Sequence, residues 1–109
     1  MEYLNTGSHL LTGSTTVLSA STTTKYLVKT IHATNIFSGD TSLDVSWVDN
    51  SGGQTYYLAY NVTIPQSSSF QALDGTFTLD NLDSIQASCG NANAIDLSIS
   101  YMEITNSEG

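Results

Sequence analysis

From Ala94 to Thr105 the chain reads AIDLSISYMEIT, and apolar and polar residues alternate one for one. Ile95, Leu97, Ile99 and Tyr101 fall on one side of an extended backbone, and Asp96, Ser98 and Ser100 fall on the other. A period of two predicts a half-buried antiparallel strand. Each buried Ile or Leu is worth roughly 1.5–3 kcal/mol, and a slip of one residue would put the whole apolar row in water. At the end of this strand the apolar residues change sides, to Met102 and Ile104. That change predicts a second covering surface there, from the chain's own loop, a returning N-terminal arm or, the reading favoured, another subunit.

The same pattern recurs along the chain. In Ser42–Asp49, Leu43, Val45 and Trp47 point inward and Asp44 and Ser46 outward. Trp47 is read as a core anchor whose indole N–H needs a partner. Asp49-Asn50-Ser51-Gly52-Gly53 is a strong hairpin signal. In Thr55–Ile64, alternation assigns Tyr56, Leu58, Tyr60, Val62 and Ile64 to the core side and Tyr57, Ala59, Asn61 and Thr63 to the outside, and Pro65 ends the strand. Lys25–Phe37 is long and mixed, with Leu27, Ile31 and Ala33 on one face and Val28 and His32 on the other. Thr15–Ala20, Phe70–Leu73, Phe77–Leu79 and Ile85–Cys89 complete about eight short strands separated by polar turns. This predicts an all-β chain folded as an antiparallel β-sandwich. Residues 1–14 lack sustained periodicity; the plain reading is a frayed terminus, and the sharper one, adopted here, is an extended arm whose Leu and Tyr residues order on a neighbour. Residues 15–105 form the sandwich domain and 106–109 a polar tail.

Composition narrows the function. The 109 residues carry a net charge of −8, with Lys25 and Lys29 as the strong cations. Binding to nucleic acid needs Lys and Arg to displace counterions from phosphate, so nucleic acid is rejected as a partner, and a membrane is rejected too. Cys89 is alone, which forbids an intrachain disulfide and predicts a small buried residue. No apolar run is long enough to span a bilayer and no charged-then-apolar segment opens the chain, so synthesis in a cytosol without ordinary export is expected.

No residue is assigned to catalysis, to a cofactor or to a metal. His9, His32 and Cys89 lack motif context, and no nucleophile elbow, zinc-protease pair or phosphate loop is present. Asp74, Asp80 and Asp83 sit near turns and would be the acids of a hydrolase, the least favoured reading. Asp80, Asn81 and Asp83, like Asp49 and Asn50, offer oxygen ligands but match no calcium loop, and turn formation accounts for them. Tyr57, left outward by alternation, would serve either as an interface anchor or as a platform for sugar. A carbohydrate-binding module is therefore the alternative from another class. Asn61-Val62-Thr63 matches the glycosylation triplet without a secretion signal and is read as chance.

The second half carries a further pattern. A two-sided strand ends in a proline (Leu58–Pro65), followed by a Ser-rich turn and an apolar residue (Ser67–Phe70). Leu73-Asp74-Gly75, Leu79 and Asp83-Ser84-Ile85-Gln86-Ala87 follow, and Ala94–Ile104 closes it. Lys29–Asn35 opens a strand of the same flavour. Over roughly residues 25–105 the chain resembles small virion structural proteins of tailed bacteriophages, including those of cyanobacterial and marine hosts. The resemblance implies a β-sandwich component of the particle, assembled in the host cytoplasm and working as a homo-oligomer, with a trimer favoured. The function expected is capsid decoration (cement), in adhesive contact with the major capsid protein. The alternative is a tail, neck or fibre-adaptor part in contact with tail proteins. The interface residues expected are Leu4, Leu10, Leu11, Tyr57, Met102 and Ile104. On this reading, deleting residues 1–14 releases the protein from its particle.

Overall fold

The computed structural model describes residues 3–73 and 75–105. Nine strands are formed: β1 (Tyr3–His9), β2 (Thr15–Ser19), β3 (Thr24–Asn35), β4 (Thr41–Asp49), β5 (Gln54–Ile64), β6 (Ser69–Gln71), β7 (Phe77–Leu79), β8 (Ser84–Cys89) and β9 (Ile95–Thr105). They make two antiparallel sheets. The first runs β1-β9-β3-β6, with β7 pairing the other half of β3, and the second runs β2-β8-β4-β5. The two sheets enclose one core, with Val28, Ile31, Ile95, Leu97 and Ile99 on one side meeting Leu43, Val45, Ile64 and Ile85 on the other. The all-β sandwich expected from the alternation is the fold observed.

Among the described residues only β4 and β5 join as a tight hairpin, through the Asp49–Gly53 turn, in which the Gly53 N–H donates to the Asp49 carbonyl and Gly53 takes φ 67°. Most other connections arch from one sheet to the other. The last strand, β9, lies between the first strand and the third, pairing Tyr3–His9 on one edge and Thr24–Asn35 on the other. Within the segment read as an arm for a neighbour, Tyr3–His9 supply an edge strand to their own sheet. Leu10 follows β1 into the core and is 1% exposed. Its N–H donates to the Ile95 carbonyl, and its own carbonyl accepts from Asn93. Deleting 1–14 would strip one edge of β9 and open the core.

Among the described residues four register shifts break strict alternation, one of them between Thr16 and Leu18 of β2, and the three in β3 and β5 reposition side chains. In β3, Val28 pairs with Tyr101 but Thr30 pairs with Ser100, so Lys29 is an extra residue. The bulge brings Val28 to the core side with Ile31 and Ala33 and turns Leu27 outward, the reverse of the regular reading. In β5, Leu43 faces Val62, Val45 faces Ala59 and Ser46 faces Tyr57, so β5 holds an extra residue at two successive places. Ala59 is consequently buried and Tyr60, assigned by alternation to the core, is 68% exposed. The second bulge restores parity, and Tyr56 stacks on Trp47 with ring centroids 5.2 Å apart while remaining half exposed.

Two buried polar side chains pin the ends of the sandwich. At one end, Asn35 Nδ2 donates to the carbonyls of Gly39 (3.0 Å), Ile64 (2.9 Å) and Pro65 (3.2 Å), and its Oδ1 accepts from the Phe37 N–H (2.8 Å). At the other end, Asp83 is 2% exposed and accepts from Trp47 Nε1 (3.2 Å) and from the backbone N–H groups of Asn50 (2.9 Å) and Asp80 (3.3 Å). Asp83 is thus the partner that the Trp47 indole required, which ties it to structure and away from the hydrolase role considered from sequence. Asp80 lies 3.5 Å from Lys25, and Asp74 falls outside the described residues. Replacing Asp83 by Ala leaves three donors without an acceptor. The expected loss is about 2–4 kcal/mol in urea unfolding, a fall in Tm of about 10 °C or more.

Tyr101 sits on the core side of β9, its ring edge-on to Tyr26 at 4.8 Å. Burial, then Tyr26 and then Glu103, push its phenol above the ordinary tyrosine range. A pKa higher in the folded than in the unfolded chain adds stability below about pH 10, and that stability is lost as pH rises through the folded value. Urea midpoints of the parent should therefore fall as pH rises past about 10, and Tyr101→Phe, which keeps the ring, should reduce that fall.

Candidate interaction surfaces

The described residues group into three surfaces able to meet a partner. The first is the outer face of the first sheet at the far end of β9. Tyr3 lies opposite Met102 across one ladder, and Leu27 lies opposite Met102 and Lys25 opposite Ile104 across the other. Cross-strand partners share a face, so these residues form one half-buried apolar patch. Tyr3 of the returning β1 thus flanks Met102, Ile104 is paired with Lys25 of β3, and the patch still reaches solvent. The chain's two lysines frame it, and Lys29 Nζ lies 5.8 Å from the centroid of the Tyr3 ring.

The second surface is one end of the sandwich, where Leu11, Ile36 and Phe37 are exposed. The 90–94 turn ties their loops together: Cys89 N–H donates to the Leu11 carbonyl, Ile36 N–H to the Ala94 carbonyl, and Thr41 Oγ1 to Asn91 Oδ1. Cys89 is buried and its thiol donates to the Asn91 carbonyl at 2.9 Å.

The third surface lies on the second sheet. Tyr57 is 57% exposed, and its ring meets the exposed Tyr60 ring at 4.7 Å with 67° between planes. Tyr60 reaches that position through the bulge at Asn61, which has φ 51° and whose N–H donates to Asp44 Oδ1. Asn tolerates the left-handed region better than other side-chain-bearing residues, so Asn61 is the sequence signal that a regular strand reading passed over.

The six interface residues expected from sequence do not converge. Leu10 is core and has no surface to offer. Leu4 faces inward opposite Tyr101, while Met102 and Ile104 face outward on the same sheet. Leu11 lies at the sandwich end and Tyr57 on the other sheet. His9 Nδ1 lies 2.6 Å from Asp96 Oδ1, on the rim of a trough that Gly7, Thr34 and Ser98 also line. Among the described residues no group of three or more His, Cys, Asp or Glu side chains is placed to hold a metal.

Neither a protein-family model nor a curated protein matches this sequence. Solved structures do match its fold. A chain of the acid-stable capsid structure of Helicobacter pylori bacteriophage KHP30 superposes with a TM-score of 0.54 at 14% identity, over 94% of this chain and 91% of that one. A pentameric capsid protein from metagenomic phage sequences gives a TM-score of 0.44 at 18% identity, and this chain spans 65% of its length. A protein of the Bacillus endospore appendages, which form disulfide-linked pili, gives 0.50 at 13% identity, over 95% of this chain and 85% of that one. The chain thus has a β-sandwich fold of the kind found in a phage capsid.

The bulge itself is testable. Asn61→Gly should hold stability within about 0.5 kcal/mol, because Gly accepts positive φ without cost. Asn61→Val should cost about 1–2 kcal/mol in chemical denaturation.

Proposed function

We propose that this chain is a structural protein of a phage particle, and that it acts as a capsid decoration (cement) protein without performing a reaction. The observation that carries the reading is the end-to-end match to a chain of a phage capsid, 94% of one against 91% of the other. The sequence resemblance to small virion proteins of tailed phages supports the same role.

The mechanism is adhesive. The patch of Tyr3, Leu27, Met102 and Ile104 docks on the major capsid protein or on another copy, and Leu11 with its neighbours at the sandwich end extends the contact. With a net charge of −8, copies repel one another over most of their surface. Both lysines border this patch, so repulsion is weakest there. The resemblance to small virion proteins favours a homo-oligomer, a trimer first, which would bring such patches together over a junction in the shell. The pili of the appendage protein are disulfide-linked, whereas Cys89 is buried here and engaged with Asn91, so that mode of assembly is not carried over.

Copy number separates decoration from the runner-up, a tail, neck or fibre-adaptor part. Quantitative gel densitometry of purified particles should return hundreds of copies of this chain. Tens or fewer would favour the tail assembly, and its absence from particles would end the virion reading altogether.

A further inference from the structure

We infer that the outer face of the second sheet is a binding site for neutral oligosaccharides. Register builds the face. Thr16, Gln86, Ser46 and Tyr57 form one row across the four strands, and Ser88 and Asp44 begin the next. The rows are hydroxyl and amide groups with a single carboxylate, and the Tyr57–Tyr60 pair closes one side as two exposed rings set at an angle. Between them lies a shallow groove of about 120 Å³ lined by Asp44, Ser46, Thr55, Tyr57, Gln86 and Ser88.

The groove is ordered before any ligand arrives. Asp44 Oδ1 accepts the Asn61 N–H, which fixes the bulge that turns Tyr60 toward Tyr57. Bulges re-aim side chains in this way beside functional sites. Gln86 is held by Ser14 Oγ at 3.2 Å and reaches Thr16 Oγ1 at 3.5 Å. Among the described residues, the hydroxyls of Ser46 and Ser88 make no side-chain hydrogen bond and Asp44 retains its second carboxylate oxygen. Preorganised groups lose little entropy on binding.

The chemistry matches a pyranose. Its C–H face packs on an aromatic ring, and its rim of hydroxyls both donates and accepts, as Gln and Ser do, while Asp44 accepts only. An apolar protein surface would bury these groups without partners, which is unfavourable. Asp44 and the net charge of −8 repel uronic and sialic acids, which restricts the class to neutral sugars. This site stands apart from the proposed virion role and faces away from the patch on the first sheet, so copy counting does not bear on it.

Saturation-transfer NMR of the full chain tests the inference, with gluco-, galacto-, manno- and N-acetylglucosamine oligosaccharides at millimolar concentration. At least one should receive transfer, and oligogalacturonate should receive none. Tyr57→Ala and Tyr60→Ala should each weaken binding by about tenfold with Tm retained, and Tyr57→Phe should keep it. If an Ala variant does not fold, amide shifts at Tyr57, Tyr60 and Ser88 of the unaltered chain on titration replace it. No transfer to any neutral sugar overturns the proposal, as does binding unchanged in both Ala variants. Without sugar transfer, a change of oligomeric state in those variants would assign the face to a protein partner, and the proposal falls.

Discussion

The fold depends on one arrangement: the last strand of the chain must find the first and the third on its two sides. β9 contributes Ile95, Leu97 and Ile99 to the core, and nothing local holds it there. Its backbone groups are satisfied by Tyr3–His9 on one edge and by Thr24–Asn35 on the other. Both neighbours are distant in sequence, so ordering entropy is spent before the apolar row is rewarded. The result is a cooperative sandwich in which β1 and β9, far apart in sequence, form adjacent strands of one sheet.

The ends of that sandwich are locked by single polar groups rather than by more apolar surface. Asn35 gathers the carbonyls of Gly39, Ile64 and Pro65, and Asp83 gathers an indole and two backbone N–H groups. A buried donor or acceptor is costly when unpaired and specific when paired. These two residues fix how the sheets stack and leave the loops free to carry exposed side chains such as Leu11, Ile36 and Phe37.

The two outer faces have different chemistry. The first sheet presents apolar residues framed by both lysines, suited to docking in an otherwise acidic chain. The second presents hydroxyls, an amide, one carboxylate and two tyrosine rings. In the proposed role the first face looks to the particle and the second to solvent. A small sandwich gains two independent surfaces because its core is consumed entirely between the sheets.

Period-two patterning by itself determined the class of fold, most strand positions, the Asp49–Gly53 hairpin and the burial of Cys89. Each of these rests on local alternation, turn chemistry or residue size. Trp47's need for a partner was legible as well, but not that Asp83 would be it, since the two meet through tertiary contact. Tertiary structure alone decided that residues 3–9 are a strand, because YLNTGSH has no apolar row and is held by the ladder to β9. It alone placed Leu10 in the core and the bulges at Lys29 and Asn61. A bulge exchanges one residue's face for another's, and sequence alternation cannot register the extra residue until the partner strand is known. That is why Val28 and Ala59 turned inward, and why Tyr60 came to stand beside Tyr57.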